Sequence, residues 1–196
     1  TVKVKSETNA QVDTAVLSLP ALSSWDDWGT ASVSVELNQG LNLISVGRET
    51  TDTGAFNLDC IDVYMAEINN AGFETGTITG WAAEGNNYGI DNSDAYRGDY
   101  KCYFWSENEF DQRISQTVSL PNGTYLVSAM VKQDTGTPNV CRMELGGFGG
   151  TTKNISIPHS SSYQQITGTV SVTTGQLTIA FYENADGNAN LQIDEI

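Results

Sequence analysis

Basic residues are scarce in this 196-residue sequence: 9 Lys and Arg stand against 24 Asp and Glu, which gives a formal net charge of −15. The acidity is spread along the chain, with 10 acidic and 3 basic residues (net −7) over 1–69 and 14 and 6 (net −8) over 70–196. Nucleic acids and anionic membranes attract clustered Lys and Arg, so we expect neither as a partner. An acidic surface has two ordinary causes, solubility and cation binding.

Catalytic and metal-binding motifs are also missing. The three cysteines form no Cys-x-x-Cys pair, which argues against a zinc site or a disulfide-dense scaffold. Cys102 and Cys141 fall in predicted strands and either form a bridge or pack as two small buried hydrophobes. His159 is the single histidine, no Gly-x-Ser-x-Gly occurs, and no pair of carboxylates stands out. No run of about 20 apolar residues indicates membrane insertion. The sequence therefore predicts no catalytic residue.

Period-two alternation of apolar and polar residues runs through residues 1–65, and no 3.6-residue period persists. Short strands separated by polar turns indicate an all-β segment. The predicted strands here are Val2–Lys5, Val12–Leu19, Ser32–Leu37, Leu41–Val46 and Phe56–Val63.

Three motifs of this first segment occur in a characteristic order: Leu19-Pro20, Trp25-Asp26-Asp27-Trp28 and Asn57-Leu58-Asp59. With them the segment resembles the C-terminal half of the family 6 carbohydrate-binding modules, which are jelly rolls about twice as long. In that family a loop aromatic and an Asn contact sugar, and the following Asp binds calcium. The resemblance places these roles on Trp25 or Trp28, on Asn57 and on Asp59. Since two Trp three positions apart do not face the same side of a strand, we favour Trp25 as the exposed one.

From Asn69, after a very short linker, the strand pattern restarts with Gly72-Phe73-Glu74 as the expected opening strand. About eight strands separated by Gly-containing turns follow, which indicates a β-sandwich or jelly roll. They are Lys101–Trp105, Asp111–Leu120, Gly123–Lys132, Val140–Leu145, Lys153–Ile157, Gln164–Val172, Gln176–Tyr182 and a last strand from Leu191.

Eight short motifs follow one another along this second segment: Gly72-Phe73-Glu74, Arg97-Gly98-Asp99-Tyr100, Ile114–Val118, Leu120–Tyr125, Gly146–Gly150, Asn154–Pro158, Thr174–Gln176 and Ile193–Ile196. With these motifs in this order, the segment resembles the family 61 carbohydrate-binding modules, known for β-1,4-galactan recognition, and more broadly the jelly rolls of families 4, 9 and 22. The resemblance implies a galactose-binding-like sandwich over 69–196, preceded by an incomplete family 6-like sandwich over 1–65.

The same resemblance implies a structural calcium ion. In these jelly rolls an acidic residue of the first strand and the Asp of the last strand lie together, and carbonyls of a Gly-containing turn complete an oxygen cage. The matching residues are Glu74, Asp194 and the backbone at Gly98 and Lys101. Calcium takes about 6–8 oxygen ligands. The alternative is that Glu74 and Asp194 are ordinary turn residues.

Aromatic and polar residues in or near the predicted loops are candidates for a sugar site. Sugar rings stack their apolar faces on aromatic side chains, and their hydroxyls pair with amides, carboxylates and guanidinium groups. Trp81 follows a Gly turn, and we expect it in the core. The carbohydrate-binding candidates of this segment are Trp105, Arg142, Tyr182, Asn184 and Asp186.

Together these patterns predict non-catalytic binding of a polysaccharide or oligosaccharide, such as a β-galactan or a related plant or algal glycan. Both ends of the sequence are in strand pattern, so we expect a piece of a larger secreted or cell-surface protein with further domains, for instance a glycoside hydrolase or lyase. The alternative is a structural or adhesive role as a rigid β-sandwich spacer, since tandem acidic sandwiches rich in Ser, Thr and Asn fit it equally well.

Overall fold

A computed structural model describes residues 1–6, 10–24, 26–31, 33, 35, 37, 42–50, 53, 55–61 and 68–196. The chain divides into two compact units, Thr1–Tyr64 and Met65–Ile196. Every regular element of the described residues is a β-strand, which confirms the all-β prediction. No helix in the described part of the chain is long and apolar enough to cross a membrane.

The first unit contains one antiparallel sheet with the strand order β2-β1-β3. Its strands are β1 (Val2–Ser6), β2 (Gln11–Ala15) and β3 (Asn42–Val46). The strand predicted over Phe56–Val63 is wrong for its described part, because residues 55–61 are exposed and pair with no strand. Much of the strand predicted over 32–37 lies outside the described residues.

The second unit contains ten strands, and eight of them match the eight predicted strands to within a few residues. The two short strands β4 and β5 fall in a stretch whose polar composition predicts only loop. The strands are β4 (Ala82–Glu84), β5 (Tyr88–Asp91), β6 (Lys101–Ser106), β7 (Phe110–Ser119), β8 (Gly123–Thr135), β9 (Val140–Gly146), β10 (Lys153–Ser156), β11 (Gln164–Val172), β12 (Gln176–Ala185) and β13 (Ala189–Asp194).

These ten strands form two five-stranded antiparallel sheets that face each other across a hydrophobic core. We call the sheet β10-β9-β12-β7-β4 the front sheet and the sheet β11-β8-β13-β6-β5 the back sheet. Buried and accessible residues alternate along β7 and β11, as expected for strands with one face in a core. Ile114 and Phe181 of the front sheet, and Phe104 and Ile193 of the back sheet, are completely buried.

Trp81 belongs to this core, as predicted. Its side chain is buried, and its ring centroid lies 5.7 Å from that of Phe73 and 6.2 Å from that of Phe181. Its indole Nε1 donates a hydrogen bond to the carbonyl oxygen of Asn70 at 3.3 Å. Such tilted aromatic contacts add to the free energy gained by burial.

The expected opening strand Gly72-Phe73-Glu74 is wrong, because this segment consists of consecutive turns. Phe73 has a φ of 58°, its N–H donates to the carbonyl of Asn70, and its own carbonyl accepts from Gly76 N at 2.9 Å. The apolar side chain of Phe73 is completely buried. In the sequence, the single aromatic Phe73 beside Gly72 suggests a strand. In the structure, the Phe73 side chain anchors a turn to the core.

Two cysteines that were candidates for a bridge are both free thiols. Cys102 of β6 is buried and Cys141 of β9 is partly buried. Burial raises the pKa of both thiols above their usual range. They therefore pack as small hydrophobes, which is one of the two alternatives that the sequence left open.

Polar side chains also lie between the sheets. The Oε1 atom of Gln112 accepts a hydrogen bond from Asn87 N at 2.8 Å, and Oε1 of Gln133 lies 2.8 Å from Nδ1 of His159. Glu183 is completely buried, and neither of its carboxyl oxygens has a hydrogen-bond partner among the residues that the structure describes. Burial raises the pKa of Glu183 to about 8, so this side chain is largely protonated at neutral pH.

Candidate functional site

The outer face of the front sheet carries a row of charged and aromatic side chains from four neighbouring strands. Antiparallel pairing sets Arg142 of β9 beside Tyr182 of β12, Tyr182 beside Arg113 of β7, and Arg113 beside Glu84 of β4. Residues directly opposite each other in paired strands project to the same face. We call this row, together with Glu144, the front-face row.

Ion pairs fix the charged members of the front-face row. Glu144 accepts hydrogen bonds from Arg142 Nε at 2.8 Å and from Arg113 Nε at 3.0 Å, and Arg113 Nη1 lies 2.6 Å from Glu84 Oε1. Burial opposes the charged form of Glu144, but the hydrogen bonds and charges of the two arginines outweigh it, so the pKa of Glu144 is lowered. The row therefore presents fixed, ionised groups at neutral pH.

Tyr182 lies between the two arginines. The guanidinium carbon of Arg142 lies 4.8 Å from the centroid of the Tyr182 ring, and the phenol oxygen donates a hydrogen bond to Asp111 Oδ2 at 3.0 Å. Guanidinium, carboxylate and phenol groups held side by side match the donors and acceptors of sugar hydroxyls. The front-face row can therefore bind a chain rich in hydroxyl groups.

Asn184 and Asp186 lie at the end of β12 beside the front-face row. Asn139 Nδ2 donates to Asn184 Oδ1 at 3.2 Å and to Asp186 Oδ1 at 2.8 Å. Asn184 Nδ2 in turn donates to the carbonyl of Phe110 at 3.3 Å. These bonds tie the loop after β8 to the front sheet, and Asp186 is exposed just after the end of β12.

Trp105 does not lie near Arg142, although both are candidates for one sugar site. It belongs to β6 of the back sheet, pairs with Asn190 of β13, and is 43% exposed. Arg142 lies on the outer face of the opposite sheet. The predicted set is therefore divided between two faces of the sandwich.

Candidates in the first unit form no described site. Trp25 lies outside the described residues. Trp28 is 64% exposed, and the preference for Trp25 as the exposed member of this pair stays a prediction. Asn57 and Asp59 are both exposed in the segment that forms no strand.

The candidate calcium residues meet near Gly72. A methyl group at Gly72 would lie 3.3 Å from Glu195 Oε1, 3.5 Å from Asp194 Oδ1 and 3.6 Å from Glu74 Cγ. Backbone N–H groups hold the carboxylate of Glu74: Asp99 N and Tyr100 N donate to it at 2.9 and 3.1 Å.

Asp194 ends β13 and is completely buried. Tyr96 N and Arg97 N donate to its Oδ2 at 2.8 and 3.1 Å, and Glu195 N donates to its Oδ1 at 2.8 Å. Burial raises the pKa of Asp194 despite these bonds. Among the described residues only backbone amides donate to this carboxylate, so a bound cation would stabilise its charged form.

The described residues include no group of three or more His, Cys, Asp or Glu side chains that could hold a metal ion. A cation between Glu74 and Asp194 would therefore need backbone carbonyls for its other ligands. Calcium prefers oxygen, and backbone carbonyls are common among its ligands. Glu74 and Asp194 would hold the ion together with carbonyls of the turn that contains Gly98 and of Lys101, which begins β6. The ion would neutralise a buried carboxylate.

Sequence reasoning missed Arg113, Glu144 and Glu84. Glu144 follows Arg142 by two positions and so projects to the same face, which the alternation within β9 could have shown. Arg113 and Glu84 come from strands that are distant in sequence from β9, and only strand pairing brings them into the row.

Comparisons with known proteins show which sequences and structures this chain is similar to. No family model matches the chain. It is 26% identical over 201 residues to a 1,6-alpha-glucosyltransferase of Sporosarcina globispora, a match that covers 89% of this chain and 16% of that protein. It is 47% identical over 49 residues to an isomalto-dextranase of Arthrobacter globiformis, covering 25% of this chain and 8% of that protein. The chain thus spans a small part of the length of both relatives.

Among solved structures, the chain is similar to a family 61 carbohydrate-binding module in complex with β-1,4-galactotriose. The TM-score is 0.60 at 22% sequence identity, and the match covers 67% of this chain and 96% of that one. The chain therefore has the β-sandwich fold of carbohydrate-binding modules.

Proposed function

We propose that residues 68–196 form a non-catalytic carbohydrate-binding module that holds a larger, extracellular carbohydrate-active protein on its polysaccharide. The observation that carries the proposal is the front-face row, in which Arg142, Tyr182, Arg113 and Glu144 lie side by side on an outer sheet face. Their mutual ion pairs hold them in place before a ligand binds, which lowers the entropy cost of binding.

An α-1,6-linked glucan is our first candidate for the ligand. The two relatives above are named 1,6-alpha-glucosyltransferase and isomalto-dextranase, names that refer to 1,6-linked glucose and to dextran. A β-1,4-galactan is the second candidate, because the family 61 structure holds β-1,4-galactotriose. In either case the front-face row would bind hydroxyls along the chain, with Tyr182 and Arg142 at its centre.

Affinity gels and calorimetry test this proposal. The wild-type chain should be retained on gels containing dextran, and Arg142→Ala and Tyr182→Ala should each weaken binding at the front-face row at least tenfold, because each removes a centrally placed polar or aromatic contact. Thr167→Ala, at an exposed position of β11, is the matched control and should bind as the wild type does. Retention on galactan gels instead of dextran would reassign the ligand. No retention on either, or on xylan and β-glucan, would overturn the proposal and leave the spacer role.

We also propose a structural Ca²⁺ bound by Glu74, Asp194 and neighbouring backbone oxygens. This ion would have a structural role, because it would join the turn after residue 69 to the end of β13. It would not contact the sugar. The buried and unneutralised carboxylate of Asp194 supports this proposal.

A further inference from the structure

The outer face of the back sheet carries a pocket of about 280 Å³. Strands β6, β8 and β13 contribute its floor, and residues at the end of β5 and in the following loop contribute its rim. We call it the Trp105 pocket. The front-face row lies on the opposite sheet, so the two surfaces do not overlap.

Two aromatic side chains line the pocket. Trp105 is 43% exposed, and Tyr103, two residues earlier in β6, projects to the same face. The Tyr103 ring lies over Gly89 of the neighbouring strand, where a methyl group would approach the phenol oxygen to 2.5 Å. Gly89 thus makes room for the ring. A partly exposed indole beside a phenol offers an apolar surface on which a sugar ring can stack.

Polar groups beside Trp105 are held in fixed positions. Asp134 accepts hydrogen bonds from Asn190 Nδ2 at 3.2 Å and from Gln192 Nε2 at 3.3 Å. No described group donates to the side-chain carbonyl oxygen of Asn190, which can accept a hydrogen bond from a hydroxyl. An aromatic surface with neighbouring amide and carboxylate groups is the combination that binds a sugar ring.

Buried lysines hold the charges of this pocket. The Lys132 side chain is 8% exposed and pairs with Asp134 at 3.0 Å and with Asp94. Burial opposes the charged form of Asp134, but the hydrogen bond and charge of Lys132 outweigh it, so the pKa of Asp134 is lowered. The Lys101 side chain is 4% exposed and pairs with Asp91 at the rim. The acceptors are thus ionised and positioned before any ligand arrives.

We propose that the Trp105 pocket is a second saccharide-binding site, which takes one sugar ring or the end of a chain. Its volume lies at the lower end of the range for small-molecule sites, whereas the front-face row crosses four strands and remains open. One module would then hold two sugar chains on opposite faces and bridge them. This inference rests on the proposed carbohydrate binding of the module.

Titration of the full chain with isomaltotriose, or with galactotriose if galactan proves to be the ligand, tests the inference. Calorimetry should show two sites in the wild type and one in both Arg142→Ala and Trp105→Ala. The Trp fluorescence should change on binding in the wild type and in Arg142→Ala but not in Trp105→Ala. Asn190→Ala should weaken the same site about tenfold and provides a second variant if Trp105→Ala is unstable. The wild type should also precipitate high-molecular-weight dextran, which neither single-site variant should do.

The outcomes separate the two proposals. A single site that Arg142→Ala abolishes and Trp105→Ala leaves unchanged would overturn the second site and keep the proposed function at the front face. A single site that only Trp105→Ala abolishes would overturn both the bridging and the front-face assignment. Binding of no sugar by any form would overturn the proposed function itself.

Discussion

The carboxyl group of Glu74 occupies the space in which a side chain at Gly98 would begin. A methyl group at Gly98 would lie 2.4 Å from the carboxyl carbon of Glu74, and Gly98 has a φ of 71°. The two residues are 24 positions apart in sequence, and their contact lets the turn after Gly98 donate two backbone hydrogen bonds to the carboxylate.

Gly98→Ala should therefore destabilise the sandwich by several kcal/mol, through backbone strain of about 1–2 kcal/mol and the displacement of Glu74. Gly175→Ala is the matched control: it has a similar φ of 73°, but the nearest atom to an added methyl group is 3.9 Å away. Gly175→Ala should lower the free energy of unfolding only by the backbone strain. Urea unfolding measures both, and equal losses for the two variants would show that the contact with Glu74 is unimportant.

The proposed Ca²⁺ should raise the thermal unfolding midpoint, because it would bind the folded chain and neutralise Asp194. A chelator should lower the Tm by several degrees, and added Ca²⁺ should restore it while Mg²⁺ should not. Asp194→Asn and Glu74→Gln should each abolish this response. Asp186→Asn, at an exposed position just after β12, should keep this response. If the chelator does not change the Tm of the wild type, no structural Ca²⁺ is bound at this site.

Glu183 should make the folded state less stable as the pH rises. Its pKa is raised to about 8 in the folded state from an ordinary value of 4.5, so the unfolded chain releases this proton first. The group's contribution to stability is complete below pH 4.5 and should fall by about 1.4 kcal/mol per pH unit up to about pH 8.

Glu183→Gln keeps the shape of the side chain and removes its ionisation. Urea unfolding of both forms between pH 5 and pH 8 should show a difference in unfolding free energy that grows with pH in favour of the variant. A difference that is constant over this range would mean that Glu183 does not titrate in the folded state. Because the comparison is a difference, the raised pKa of Asp194 does not affect it.

Truncation of Trp81 and of Trp105 should change the free energy of unfolding by very different amounts. Trp81→Ala removes a buried ring in contact with Phe73 and Phe181 and should cost about 3–5 kcal/mol of unfolding free energy. Trp105→Ala removes a side chain on an outer face and should change stability by less than about 1 kcal/mol. Chemical unfolding measures both free energies. A loss of several kcal/mol for Trp105→Ala would mean that the Trp105 ring stabilises the fold.

Strand periodicity was enough to locate eight strands of the second unit. It failed for β4, whose three residues are all exposed, and for β5, whose four residues are all partly buried, because neither strand shows alternation. It also failed at Phe73, where a buried aromatic belongs to a turn with positive φ.

By itself, the sequence determined the all-β class, the position of Trp81 in the core and eight of the strands of the second unit. Each depends on alternation within one strand or on a local turn. Only the tertiary structure decided that Arg142 and Trp105 lie on opposite faces, that Arg113 joins Arg142 around Glu144, and that Glu183 is buried between the sheets. Those relationships depend on strand order and on register between segments that are distant in sequence, and no local pattern of residues encodes which strand becomes the neighbour of which.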